Sequence, residues 1–338
     1  MKNCQHHQFI DRTSQQVVTE QLIGDKTVQF LYNSLRESAP AMFKALTSKR
    51  MSGLLSYLHY DYPGSKRHKP EDFFRKINAD WSECVQPLDY YNSPRRVFER
   101  QIKYWQYRPM TDDPSAIVSP ADCRILVGSL KKQSLFFIKE KLFSKDELLG
   151  TEKKWYREFE QGDFCVCRLT PDKYHYNHTP VSGKVVDIYS LDGQYHSCNP
   201  TATIAVASIY SKNRRTVTII DTDVESGTGI GLVAMVEIVA LMIGDLQQAY
   251  SDHKYENPRP VQPGMFVKKG VPKSLYRPGS STDVLIFQAN RMNFSGDLLA
   301  NVKRQDVNSR FTDDSGRVLA ETNISVRSTI GNKSSHMH

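Results

Sequence analysis

Three short clusters in this chain of 338 residues carry side chains able to do covalent chemistry. Near the C-terminus, Gly279-Ser280-Ser281-Thr282 opens onto the apolar run Val284-Leu-Ile-Phe287. Earlier come Ser119-Pro-Ala-Asp122 and Tyr174-His175-Tyr-Asn-His178. Serine, histidine and aspartate are the residue types of nucleophilic attack: a hydroxyl becomes a nucleophile when a base takes its proton and a carboxylate orients that base. Each cluster alone has an ordinary reading. Gly and Ser before a strand make turns, an Asp after Pro-Ala is a turn residue, and a histidine among aromatics is usually structural.

The elements that must position these residues follow from the hydrophobic pattern. Residues 27–60 place Val28, Leu31 and Leu35, then Met42, Phe43 and Leu46, then Leu54, Leu55 and Leu58 at helical spacing. Two or three amphipathic helices are expected there, with Lys49, Arg50, Lys66, Arg67 and Lys69 close by. Their apolar faces pack on the protein or, alternatively, touch lipid. Tyr62-Pro-Gly-Ser65 reads as a turn and Lys69-Pro-Glu-Asp-Phe-Phe74 as a helix start.

After residue 112 the character changes to short β-branched and aromatic runs: Arg124–Val127, Leu135–Ile138, Phe164–Cys167, Val185–Ile188, Thr203–Val206 and Thr216–Ile220. The fold class expected is α+β: a helical N-terminal segment over 1–111, then a β-rich domain over 112–338. His175 and His178, three apart, would fall on opposite faces of a regular strand, so they are expected in a turn or irregular stretch.

The bulk numbers narrow the class. With 39% apolar and 24% charged residues, the composition is that of a globular protein. The longest apolar run, Gly231 to Gly244, is broken by Glu237 and is too short to span a bilayer. The N-terminus lacks the apolar core of a secretory signal, which points to a cytoplasmic protein. A net charge of +8 favours anionic partners, yet no nucleic-acid module is recognisable, so no nucleic acid is expected and a membrane-surface enzyme fits equally. Among six cysteines only Cys165 and Cys167 are close, and buried free thiols are a simpler account than zinc. Gly227-Thr-Gly-Ile-Gly231 lacks dinucleotide-loop spacing and reads as a hairpin turn.

Taken in order, several segments resemble the phosphatidylserine decarboxylase family. Phe98-Glu-Arg100 and Arg108-Pro109 are similar to its Phe- and Arg-containing segment, Ser119-Pro-Ala-Asp122 to its Ser-Pro-Ala-Asp-Gly motif, and Phe143–Gly150 to the segment after it. Tyr174-His175-Tyr-Asn-His178-Thr-Pro180 resembles Asp-Tyr-His-x-x-His-x-Pro, and Asn199-Pro200 ends a Tyr-Ser-Val-Asn-Pro-like segment. Gly270 to Phe287 resembles the family's self-cleavage site. The resemblance runs from about residue 75 to 330. It departs at Cys123, where the family has glycine, and at Lys173, where it has aspartate.

The resemblance implies a proenzyme whose serine attacks its own preceding peptide bond. The resulting ester undergoes β-elimination to dehydroalanine, which hydrolyses to a pyruvoyl group at a new N-terminus. The chain then makes its own carbonyl cofactor, with no metal and no pyridoxal phosphate. Asp122 and His178 complete the self-cleavage triad, and His175 is the acid in decarboxylation. Two registers compete for the serine: the apolar strand aligns Ser281 as nucleophile, whereas the preceding glycine and the distance from Lys269-Gly270 align Ser280. Strand alternation favours Ser281, because a one-residue slip reverses the face.

The implied activity is conversion of phosphatidylserine to phosphatidylethanolamine, near residues 280/281 and at the inner face of an anionic membrane. The alternatives are a soluble amino-acid substrate or an uncleaved, non-catalytic family member. The implied assembly is a heterodimer of the chain's own two fragments, with further homo-oligomerisation open.

Overall fold

Apolar runs bounded by turn residues become strands wherever both faces can be covered, and here they build one large sheet. A computed structural model describes residues 6–22, 25–48, 50–51, 54, 57, 60, 69–131, 142–241, 245–279, 281–313 and 315–335. Among these residues a ten-stranded sheet runs in the order β11-β7-β8-β9-β13-β5-β4-β15-β1-β2. Its strands are β1 (Gln8–Asp11), β2 (Val17–Thr19), β4 (Cys123–Ser129), β5 (Asp163–Leu169), β7 (Gly183–Leu191), β8 (Arg215–Asp221), β9 (Leu232–Val239), β11 (Phe266–Val267), β13 (Ser281–Phe287) and β15 (Glu321–Ile324). The pairings are antiparallel except that of β1 with β15.

Two three-stranded sheets complete the β framework. One is β10 (Leu246–Gln248), β12 (Pro272–Tyr276) and β6 (Tyr176–His178); the other is β14 (Met292–Phe294), β16 (Thr329–Lys333) and β3 (Ala116–Val118). The expected strands around Arg124, Phe164, Val185 and Thr216 form, while Leu135–Ile138 lies outside the described residues. Thr203–Val206 is a correction: Pro200–Ala205 is a helix. The Asn199 side chain caps it, accepting from Thr201 N at 2.8 Å, and Pro200 occupies its first turn, so the cap overrides the β-branched composition.

The α+β reading holds. Helices lie over 25–38, Pro40–Leu46 and Pro70–Ile77, with Tyr32, Leu35, Phe43 and Phe74 buried. The Tyr32 hydroxyl accepts from Ser197 N at 2.7 Å, which fastens the first helical stretch to the β-rich part. The 1–111 stretch also contributes β1 and β2, strands its pattern did not announce. Lys49, Leu55, Leu58, Lys66, Arg67 and the 62–65 turn lie outside the described residues.

β13 is the centre of the large sheet. All seven of its residues pair with β9 on one side and β5 on the other, and all are buried. That position demands an apolar run covered on both faces, which Val284–Phe287 supplies. β12 immediately precedes β13 in the chain yet belongs to the small sheet, so the chain passes from one sheet to the other between Tyr276 and Ser281. Gly279 takes φ +148° at this crossing, a value side-chain-bearing residues rarely adopt.

Candidate active site at the crossing between two sheets

Ser281 is the first residue of β13, fully buried, with Cα partners Leu169 and Val239. Its hydroxyl has no hydrogen-bond partner among the described residues. Ser280 lies outside the described residues. The adjoining strand end is tied to the histidine cluster, because Tyr276 N donates to His175 O at 3.0 Å.

His175 immediately precedes β6 and His178 ends it, so the pair straddles an irregular entry and a short strand. Neither ring is exposed. The His175 ring stacks on Phe98 with centroids 3.7 Å apart, and neither nitrogen makes a well-formed hydrogen bond. Burial, helped by the nearby Arg100 charge, lowers its pKa to about 3. It is therefore neutral near neutral pH.

His178 is held more tightly. Its Nδ1 lies 3.0 Å from Gly270 O and its Nε2 3.0 Å from the Tyr174 hydroxyl. A carbonyl can only accept, so Nδ1 carries the proton and Nε2 is the acceptor. Burial lowers this histidine also to about 3, although the Gly270 carbonyl works in the opposite direction. Gly270 has φ +75°, and a Cβ there would collide with Met110 Sδ.

Asp122 does not hydrogen-bond to His178. Arg108 grips it from two sides, Nε to Oδ1 at 3.0 Å and NH2 to Oδ2 at 2.8 Å, and Val326 N donates to Oδ1 at 2.7 Å. Burial would raise the Asp122 carboxyl, but Arg108 and the Val326 amide hold it below its ordinary value. Its negative charge still favours the protonated form of both histidines, so it stands in their neighbourhood. Asp122 and the two histidines thus share a buried neighbourhood, and Tyr276, bonded to His175 O through its backbone and to Thr282 O through its hydroxyl, links it to the strand that Ser281 opens; among the described residues no hydrogen-bonded relay joins the four.

A cavity of ≈ 400 Å³ has a wall that includes Arg96, Arg100, Tyr176 and Arg277, with Glu99 its one carboxylate among the described residues. Arg100 is buried and reaches two backbone carbonyls, Val97 O at 3.1 Å and Asp172 O at 2.6 Å. Sequence reading missed Tyr174 as partner of His178, and also a buried polar group around Glu237, Lys273, Tyr276 and Asp283. Glu237 and Asp283 had a visible signal: each is a charge inside an otherwise apolar strand.

A model of the phosphatidylserine decarboxylase family matches residues 95–310, which hold Asp122, both histidines and Ser281. The chain belongs to the phosphatidylserine decarboxylase family. It is 29% identical over 310 residues to the phosphatidylserine decarboxylase proenzyme of Fusobacterium nucleatum, covering 90% of this chain and 94% of that one. It is 30% identical over 294 residues to the proenzyme of Chlamydia trachomatis serovar D, covering 86% and 90%. The proenzyme of Ruminiclostridium cellulolyticum is 27% identical over 297 residues, covering 88% and 92%.

Within this decarboxylase-family chain, the departures from the motifs have local partners. Lys173 Nζ donates to Asn323 Oδ1 at 2.7 Å and pairs with Asp172 at 3.1 Å. Cys123 is buried with its sulfur 3.7 Å from Ser119 Oγ, and Cys165 and Cys167 are buried free thiols as well. Among the described residues one group has metal-like spacing, His7, Glu20 and Glu321, but Arg168 already reaches both carboxylates, at 2.6 Å each. Its charge is met by a guanidinium.

Proposed function

We propose that this chain is a self-cleaving proenzyme that decarboxylates phosphatidylserine to phosphatidylethanolamine. The observation that carries the reading is Ser281: a buried hydroxyl without a partner among the described residues, at the first position of the central strand, where the chain crosses from the sheet whose Tyr276 is hydrogen-bonded to His175 O. Ser281 Oγ attacks the carbonyl carbon of residue 280. The C–N bond breaks, the amide nitrogen takes a proton, and an ester forms. Loss of the Ser281 Cα proton then expels the carboxylate of residue 280, leaving dehydroalanine that water converts to a pyruvoyl group and ammonia.

The surroundings suit such a group. Ser281 Oγ, both His175 nitrogens, Asn177 Oδ1 and Asp283 Oδ2 are buried polar atoms without good partners, and orphaned groups of this kind are rare unless something completes them. When formed, the pyruvoyl supplies a carbonyl that takes up the substrate amine and accepts the electron pair released as carbon dioxide leaves.

The chain's own residues do the rest. We assign Asp122 and His178 to self-cleavage: His178 is held neutral with Nε2 as acceptor, and Asp122 supplies the negative charge that favours its protonation. We assign proton return to the substrate carbon to His175, whose nitrogens lack a well-formed hydrogen bond and whose depressed pKa an incoming carboxylate would raise. Arg96, Arg100 and Arg277 suit an anionic head group in the cavity they line.

Among the described residues no helix is long and apolar enough to cross a membrane. Exposed Phe30, Met42, Leu54 and Tyr57 lie on the N-terminal segment, and we assign them to peripheral contact with the inner, cytoplasmic membrane face. The fragment starting at Ser281 contributes β13, flanked on both sides by strands of the longer fragment, so the cleaved chains stay together as one heterodimer.

Intact mass of purified protein tests the reading. Wild type and Ser280→Ala are expected to give two chains, the smaller beginning at residue 281, and Ser281→Ala a single chain of 38.7 kDa. An uncleaved wild type would overturn the reading. If two chains appear, carbon dioxide release from phosphatidylserine vesicles, against release from free serine, decides the substrate.

A further inference from the structure

Glu237 in β9 and Asp283 in β13 are direct partners in the register of the central strands, and neither is exposed. Lys273 of β12, itself fully buried, lies 2.6 Å from Glu237 Oε2 and makes no ion pair with Asp283. Glu237 is also served by the Ser274 hydroxyl, by Asn177 Nδ2 at 3.1 Å and by Gln248 Nε2 at 3.4 Å. Asp283 meets Tyr276 Oη, 2.7 Å from Oδ1, and its Oδ2 has no partner. From β5 it faces Cys167, a buried thiol pushed up by burial.

Two carboxylates therefore face each other with one ammonium, bonded to Glu237, in a buried interior where an uncompensated negative charge is costly. One proton stays in the group. It belongs on Asp283, because Glu237 has the lysine and three further donors. Burial and the Glu237 charge push Asp283 well above the ordinary carboxyl range, with Tyr276 and Lys273 opposing them.

The location of that proton decides what Tyr276 can do. Its hydroxyl lies 2.7 Å from Asp283 Oδ1 and 3.1 Å from Thr282 O, but a phenol has one proton to give. If Asp283 is the acid, its O–H donates to the Tyr276 oxygen and the phenol donates to the Thr282 carbonyl, satisfying both contacts. If Asp283 ionises, the phenol turns to the carboxylate and the Thr282 carbonyl loses its donor. Thr282 directly follows Ser281, and Asp283 shares the strand face of Ser281.

Resting on the reading of Ser281 as the self-cleaving nucleophile, we propose that Asp283 is a positioning residue for self-cleavage. It donates its carboxylic-acid proton to Tyr276, which in turn holds the Thr282 carbonyl and fixes the backbone that presents Ser281 to the carbonyl of residue 280. Displacements of about 1 Å at a reacting pair cost on the order of 100-fold in rate, so loosening this anchor slows cleavage without removing a reacting group.

The test follows self-cleavage by intact mass over time and across pH for wild type, Asp283→Asn, Asp283→Val and Tyr276→Phe. Asp283→Asn, whose amide N–H can still donate to Tyr276, is expected to cleave within about threefold of wild type; Asp283→Val and Tyr276→Phe are expected to slow at least tenfold. Wild-type cleavage slows at alkaline pH, and Asp283→Asn does not follow it. Valine cleaving at the wild-type rate, or asparagine showing the same alkaline fall, overturns the proposal. The wild type against asparagine comparison stands even if the valine variant fails to fold. Failure of the wild type itself to cleave at any pH rejects the Ser281 reading together with this one, a result distinct from either variant outcome.

Discussion

His175 and His178 occupy sites where an imidazole is kept neutral at the expense of stability in acid. Both fold with pKa values of about 3, below the ordinary 6.5, because burial disfavours the cation. The unfolded chain binds protons through pH 6.5 while the folded chain does not. Stability is therefore full above pH 6.5 and declines as pH falls toward 3, by roughly 2–5 kcal/mol per histidine. Thermal unfolding of the Ser281→Ala protein, a single chain under the proposed reaction, is expected to show this fall, and His175→Gln in that background to flatten part of it. An unchanged pH profile in the double variant would mean that His175 is not buried as a neutral ring. Asp283 is shifted the other way: burial and the Glu237 charge raise its carboxyl, so its proton is held more firmly than that of an ordinary aspartate.

At the scale of elements, short connections decide how the site is held. Gly270 gives its carbonyl to His178 Nδ1 from a left-handed backbone with no room for a Cβ. Gly270→Ala is expected to destabilise by about 1–3 kcal/mol and to slow self-cleavage through displacement of His178, measured as a lower Tm and a longer cleavage half-time. Normal values for both would remove Gly270 from the positioning of that ring. Local chemistry also explains where pattern reading failed. Thr203–Val206 has strand-like composition, yet the Asn199 cap and Pro200 start a helix. The strands β1 and β2 are too short to give a pattern and exist because β15 and β1 offer them edges.

Across the whole molecule, the two ends of the chain are locked to its middle. β1 pairs in parallel with β15, and Arg168 of β5 binds Glu20 at 2.9 and 2.6 Å and Glu321 at 3.0 and 2.6 Å. His7 Nε2 adds a contact of 2.8 Å to Glu321. Burial would raise the Glu321 carboxyl, but Arg168 and His7 hold it down at about 2. Arg168→Met would leave two buried carboxylates short of their cation and is expected to cost about 3–5 kcal/mol, read as the loss of unfolding free energy in denaturant. A change below 1 kcal/mol would show that Arg124, 3.3 Å from Glu20, carries the pair alone.

The sequence by itself determined the apolar strand that Ser281 opens and the family, because apolar runs and side-chain identity are local properties of the chain. Asp122, His175, His178 and the pair Ser280 and Ser281 could be named as candidates on that basis. Their partners could not be. The grip of Arg108 on Asp122, the seat of His178 between Gly270 and Tyr174, and the facing of Glu237 by Asp283 depend on which strands become neighbours. Only the packed sheets bring those distant residues together, and only their exclusion of water sets the protonation of the groups between them.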